Sequence, residues 1–182
     1  MRRISLTMIR RDLLNIPQYS VPNKYKIRTY NKGEEHIWAA VEVSVNEFKD
    51  EAAALTRFGQ EFGQHLDEMS LRCLFMENEH GEVIGTTTAW YGTLDEMETW
   101  GRIHWVGIKP AYQEKKLAKP LFSAALKILS RFHTKAYLTT QTTSYRAINM
   151  YLDYGFEAFI TKTDCIEGWR LLENKLNRTI LK

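Results

Sequence analysis

Apolar positions along the chain follow two periods. Residues 103–108, Ile-His-Trp-Val-Gly-Ile, form a short apolar run rich in β-branched and aromatic side chains, which suits a buried strand. Pro110 stops it, because proline has no amide to give to a ladder. A polar loop follows over residues 113–116. Apolar residues then return at helical spacing: Leu121, Ala125, Ile128 and Phe132 form a stripe, with Leu117, Phe122 and Leu129 beside it. Pro120 fits only a first helical turn, where its missing donor is harmless. The pattern predicts strand, tight polar loop, helix. It recurs downstream, with a strand over 136–140, a short helix from about 144 to 154, Gly155 as its terminator and an apolar run over 157–160.

Upstream, residues 25–30 alternate and read as a strand. Residues 34–45 read as a helix with Ile37, Ala40, Val41 and Ser44 on one face. Residues 50–69 form a helical region in which Phe58, Phe62 and Leu66 recur, while Gly59 and Gly63 mark a break. Strands over 71–76 and 82–91 flank a turn and make a hairpin. Residues 92–101, with Asp95, Glu96 and Glu98, read as a loose acidic loop. Residues 168–181 could form a strand followed by a terminal helix, and the choice stays open. Residues 1–24 read as an N-terminal arm, either a surface arm or a short amphipathic helix leading into an extended Pro17–Pro22 stretch, and residues 25–182 as one domain.

Composition narrows the classes. A chain of 182 residues, 44% hydrophobic and 26% charged, is ordinary for a water-soluble domain with a real core. The net charge of +3 lacks the concentrated basic face that nucleic acid asks for. Cys73 and Cys165 lie in no ligand spacing, the five histidines form no metal pair, and no apolar run approaches a membrane span, so a cytoplasmic protein with free thiols and no metal is expected.

A loop that opens a helix presents unpaired amides and the positive end of the helix dipole, which together attract anions, phosphate above all. Lys115, Lys116 and Lys119 add charge there; the plainer alternative is a solvated lysine cluster. The two strand-loop-helix units together resemble the GNAT acyltransferase superfamily. Its phosphate loop, Gln/Arg-x-x-Gly-x-Gly/Ala, corresponds to Gln113-Glu-Lys-Lys116-Leu-Ala118. Its late signature, Asn-x-x-Ala-x-x-Leu-Tyr-x-x-x-Gly-Phe, corresponds to Ser144-Tyr-Arg-Ala147-Ile-Asn-Met150-Tyr151-Leu-Asp-Tyr-Gly155-Phe156. Lys116 stands where the family has glycine, and Ser144 where it has asparagine.

The resemblance implies an α/β (α+β) fold: a single GNAT-like domain whose mixed central sheet of about six to seven strands is flanked by helices. It implies an N-acyltransferase that moves an acetyl group from acetyl-CoA to a primary amine by direct transfer; the alternative is a non-catalytic acyl-CoA sensor. Acetyl-CoA would be held by Val106, Ile108, Gln113, Glu114, Lys115, Lys116, Leu117, Ala118, Ser144 and Ala147. Tyr151 would protonate the leaving thiolate, although without the motif a tyrosine on an amphipathic helix reads as a core aromatic. His104 is the candidate base, since it titrates near neutral pH and alternation places it with Val106 and Ile108 on one strand face. A structural histidine is the competing reading, and Glu98 or a chain of waters are other bases. Trp90, Tyr91 and Trp105 read as an acceptor pocket or as core. The acceptor is unassigned, a homodimer stays open, and no nucleic acid or membrane partner is expected.

Overall fold

The computed structural model describes residues 1–94 and 98–181. Among the described residues it holds seven strands and six α-helices. The strands are β1 (Ser5–Arg10), β2 (Lys26–Thr29), β3 (Cys73–Glu77), β4 (Val83–Thr93), β5 (Thr99–Ile108), β6 (Ala136–Gln141) and β7 (Glu157–Phe159). The helices are α1 (Glu35–Ser44), α2 (Glu51–Phe62), α3 (Leu66–Arg72), α4 (Ala118–Leu129), α5 (Tyr145–Asp153) and α6 (Thr163–Leu176). The sheet is mixed, in the hydrogen-bonded order β2-β3-β4-β5-β6-β1-β7. β5 and β6 run parallel, and β1 is antiparallel to both its neighbours. This is the α/β architecture the sequence predicts. The chain separates into two compact units.

The first unit comprises residues 18–90 and 103–128. Its hairpin, β3 and β4, turns at Asn78, whose Oδ1 accepts from the amides of His80 and Glu82 while Gly81 takes the positive φ the turn needs. α2 begins at an Asp50 cap that accepts from the Ala53 amide, and it stops at Gly63. Gly63 has no room for a side chain: a Cβ there would lie 2.5 Å from the Gly59 carbonyl oxygen. Trp38, Phe58, Phe62, Phe75 and Met76 fill the core. The buried stripe of α1 is Trp38, Ala39, Val41 and Glu42, rotated from the predicted Ile37, Ala40, Val41 and Ser44. Trp38 explains the rotation, since its large apolar surface outweighs the half-buried Ile37 and Ala40.

The second unit comprises residues 1–17, 91–102 and 129–182. Here the expected N-terminal arm is corrected over residues 5–10. β1 is an interior strand, paired along its whole length with β6, from Ser5↔Gln141 to Arg10↔Ala136, and with β7 on its other side. Leu6, Met8 and Ile9 are buried. Because both faces of β1 are covered, it lacks the polar alternation that marks a half-exposed strand. Residues 168–176 resolve as helix and 177–181 as a turn and irregular chain: α6 runs from Thr163 to Leu176, and Gly168 lies inside it, where a Cβ would sit 3.1 Å from Leu6 and 3.2 Å from Thr142. β5 begins at Thr99, earlier than predicted, with Trp100 buried. Of the predicted acidic loop, Asp95 and Glu96 lie outside the described residues. Glu98 meets Lys135 at 2.7 Å.

Candidate functional site

β5 carries the candidate base, and its backbone departs from simple alternation. Trp105 has φ 51, a left-handed conformation that a bulky residue rarely adopts. The effect is that two consecutive side chains reach one partner on α2. His104 Nε2 and Trp105 Nε1 each lie 2.8 Å from the same oxygen, Oε2 of Glu61. The two rings stack at 4.6 Å, and Trp105 packs against Trp38 at 5.6 Å and Phe48 at 5.1 Å. Left-handed strain of about 1–2 kcal/mol is matched by a hydrogen bond to a charged group worth about 1.5–3 kcal/mol. The predicted sharing of one face by His104, Val106 and Ile108 is therefore corrected. His104 turns toward α2 with Trp105, whereas Ile108 points to the side of Gly85, where a Cβ would meet its Cδ1 and, at 3.5 Å, Leu121 of α4. Alternation past the left-handed residue keeps Val106 with Ile108.

Glu61 is held by three donors. Burial alone would raise its pKa, but the hydrogen bonds from His104 and Trp105, with the charges of His104 and Arg57, bring it down to about 2. Arg57 meets its other oxygen at 2.8 Å. A second acid lies on α1. Glu42 is fully buried, both its oxygens lack a hydrogen-bond partner, and burial with the nearby charge of Glu47 pushes its pKa up to about 8. It occupies the space that the missing side chain of Gly107 leaves on β5, since a Cβ there would be 3.3 Å from Glu42 Oε1. Neither acid was singled out from the sequence. The available signal was a charge next to the buried stripe of each amphipathic helix, beside Phe58 and Phe62 for Glu61 and beside Trp38 and Val41 for Glu42.

Beyond β5 the chain makes a short 3-10 turn over Pro110–Tyr112 and enters the predicted loop. Gln113 Nε2 donates to the Ile108 carbonyl at 3.0 Å, tying the loop to the end of the strand. Glu114 and Lys116 are both left-handed, with φ 63 and 62. Residues 113–116 are exposed, and buried Leu117 anchors the entry to α4. Pro120 falls in the first turn of α4, as its chemistry requires. Lys115 lies over the Tyr112 ring at 4.8 Å and Lys119 over Tyr19 at 5.0 Å, which places cationic groups along the loop and the first turn of α4.

The other candidates, Ser144, Ala147 and Tyr151, lie together at α5 in the second unit. Ser144 is the residue that precedes α5, and Ala147 is half-buried. Thr142, just upstream, is tied to β1 through the amide of Ile4, which donates to its hydroxyl at 3.0 Å. Tyr151 is buried and faces Phe156 at 6.4 Å. Gly155, with φ 78, ends the helix as predicted. Among the described residues no group of three His, Cys, Asp or Glu side chains is placed to hold a metal, and no helix is long and apolar enough to cross a membrane.

Residues 36–156 match the model of the Acetyltransferase (GNAT) family. No curated protein matches the sequence. Solved structures share the fold. A GCN5-related N-acetyltransferase from Sphaerobacter thermophilus superposes with a TM-score of 0.65 at 17% identity, over 86% of this chain and 49% of that one. A GNAT-family acetyltransferase from Colwellia psychrerythraea gives 0.63 at 10% identity, over 87% and 54%. One from Novosphingobium aromaticivorans, described as a putative acetyltransferase of the family, gives 0.61 at 16% identity, over 87% and 62%. The chain thus spans about half the length of the first two.

Proposed function

Because the chain belongs to the GNAT acetyltransferase family, we propose that it is an N-acyltransferase that moves an acetyl group from acetyl-CoA to a primary amine by direct transfer. The observation that carries this reading is the carboxylate–imidazole pair formed by Glu61 of α2 with His104 of β5, the strand that leads into an exposed, lysine-rich loop at a helix start.

The loop suits the anionic end of the donor. Left-handed residues curl a short loop so that successive amides can converge on an anion, and the start of α4 adds its dipole. Lys115, Lys116 and Lys119 add positive charge. Lys116 has the left-handed backbone that the family's glycine would take, so its side chain replaces glycine without changing the course of the loop. That weakens the one feature favouring a binding-only sensor. Val106 and Ile108 would flank the acyl arm, and Ser144 and Ala147 are the further donor contacts that the family likeness implies.

Only the neutral amine attacks a thioester carbonyl. Its nitrogen forms the new C–N bond, the C–S bond breaks, and the amine proton passes to His104, directly or through one water. Tyr151 would return a proton to the leaving sulfur, since a phenol keeps its proton at neutral pH.

A panel of primary amines with acetyl-CoA, read by thiol release, tests the proposal. An amine-dependent release that His104→Ala slows about a hundredfold is expected. Absence of amine-dependent thiol release across the panel, together with no heat on titrating acetyl-CoA, would overturn it.

A further inference from the structure

Glu61 joins two side chains through one oxygen, and the chemistry of the three groups assigns their protons. The indole nitrogen of Trp105 can only donate, and an ionised carboxylate can only accept. With Oε2 at 2.8 Å from His104 Nε2, that nitrogen must carry the hydrogen. The imidazole is then the Nε2–H tautomer, and its basic lone pair is on Nδ1. The same carboxylate favours the charged imidazolium and so makes Nδ1 more basic. It also acts on the backbone. Consecutive residues of a strand normally point to opposite sides, and the left-handed Trp105 brings its ring to the side of His104, where Glu61 holds both.

We propose that Glu61 is a positioning residue of the acyl-transfer site, fixing the tautomer and basicity of His104 so that proton acceptance falls to Nδ1, and holding the left-handed turn of β5 at Trp105. The inference rests on the acyltransferase reading above. Among the described residues, charged and titratable groups face this part of β5 from several elements. α2 contributes Glu61 and, on the far oxygen of that carboxylate, Arg57. The segment after α2 contributes His65, whose ring packs against Trp90 at 6.0 Å. α1 contributes Glu42, which faces the strand at Gly107. Arg57 draws on Oε1 and leaves Oε2 to the two rings. Glu61 therefore acts on the reaction through His104 rather than on the substrate.

Side-chain 15N NMR of histidine-labelled protein reports tautomer and titration without any turnover. The Nε2–H form is expected for neutral His104, and Glu61→Gln should move its titration down by about one pH unit. The acidic limb of kcat/KM should move down with it, the plateau should fall about tenfold, and KM for acetyl-CoA should change by less than about twofold. Trp105→Phe removes the indole bond but leaves the carboxylate on His104, so it should keep the limb in place. An Nδ1–H tautomer in the unmodified protein overturns the proposal by itself, even where Glu61→Gln fails to fold. So does a Glu61→Gln protein whose His104 titration or kinetic limb stays put. If no amine is acylated, the transferase reading falls and the catalytic part of this proposal with it, while NMR still decides whether Glu61 governs the protonation of His104.

Discussion

Replacing Glu42 by glutamine should remove a pH dependence from folding stability. In the unfolded chain this carboxyl titrates at its ordinary value of 4.5; in the folded chain burial, with a contribution from Glu47, holds the proton until about 8. Its stabilising contribution is complete below 4.5. Between the two values folding takes up a proton, so stability falls as pH rises, and above about 8 the loss is complete. Each pH unit carries about 1.4 kcal/mol, which withdraws about 3 kcal/mol by pH 7 and about 5 kcal/mol by pH 9. No discount for solvent screening applies to a side chain with 0% exposure and no hydrogen-bond partner. Cys73, the nearby thiol, is pushed up to about 12 and stays neutral throughout. Glutamine keeps the shape and cannot ionise. Urea unfolding followed by tryptophan emission at pH 5, 7 and 9 measures the difference, with five tryptophans as reporters. Relative to its own value at pH 5, the glutamine protein should gain about 4 kcal/mol on the unmodified protein by pH 9, since about 1 kcal/mol of the loss has already occurred at pH 5. A gap between the two proteins that stays constant from pH 5 to pH 9 would refute the reasoning, because it would show that Glu42 titrates normally.

Lys116→Gly should retain acetyl-CoA affinity by calorimetry and raise stability by about 1 kcal/mol, because glycine adopts φ 62 without a Cβ clash; complete loss of affinity would mean that the loop is assigned wrongly. Tyr151→Phe should lower kcat about a hundredfold with little change in acetyl-CoA affinity, since the hydroxyl matters only once charge builds on sulfur; full activity would return Tyr151 to the core. Deleting residues 1–10 removes β1 and strips β6 and β7 of their shared partner, so the cooperative urea transition should disappear; a soluble, cooperatively folding truncation would contradict an interior role for this strand.

The units read best from sequence are those whose boundaries are set by neighbouring residues. Pro110 and Pro120 bracket the loop before α4 because a missing amide acts locally, and Gly155 ends α5 because only glycine takes its positive φ with ease. The hairpin turn at Asn78–Gly81 is equally local. The site is legible to the same extent. His104 stands out by its type on a strand, and the loop by its lysines and its helix start, but neither shows what surrounds it.

What stayed hidden depends on residues far apart in the chain. β1 is an interior strand only because β6 and β7 close on it, and Ile4 finds its partner Thr142 at a separation of 138 residues. Between Arg2, Arg3, Arg10 and Arg11 so short an apolar stretch reads as a basic arm. The side to which His104 points follows from Trp105, whose left-handed turn is supported by Glu61 at a separation of 44 residues. Glu42 looks like a surface charge on an amphipathic helix until Trp38 rotates α1 and Gly107 leaves it space. Periodicity and turn chemistry act within a few residues and set the elements; burial, proton affinity and side-chain direction are summed over everything that packs nearby, and that sum exists only once the chain has folded.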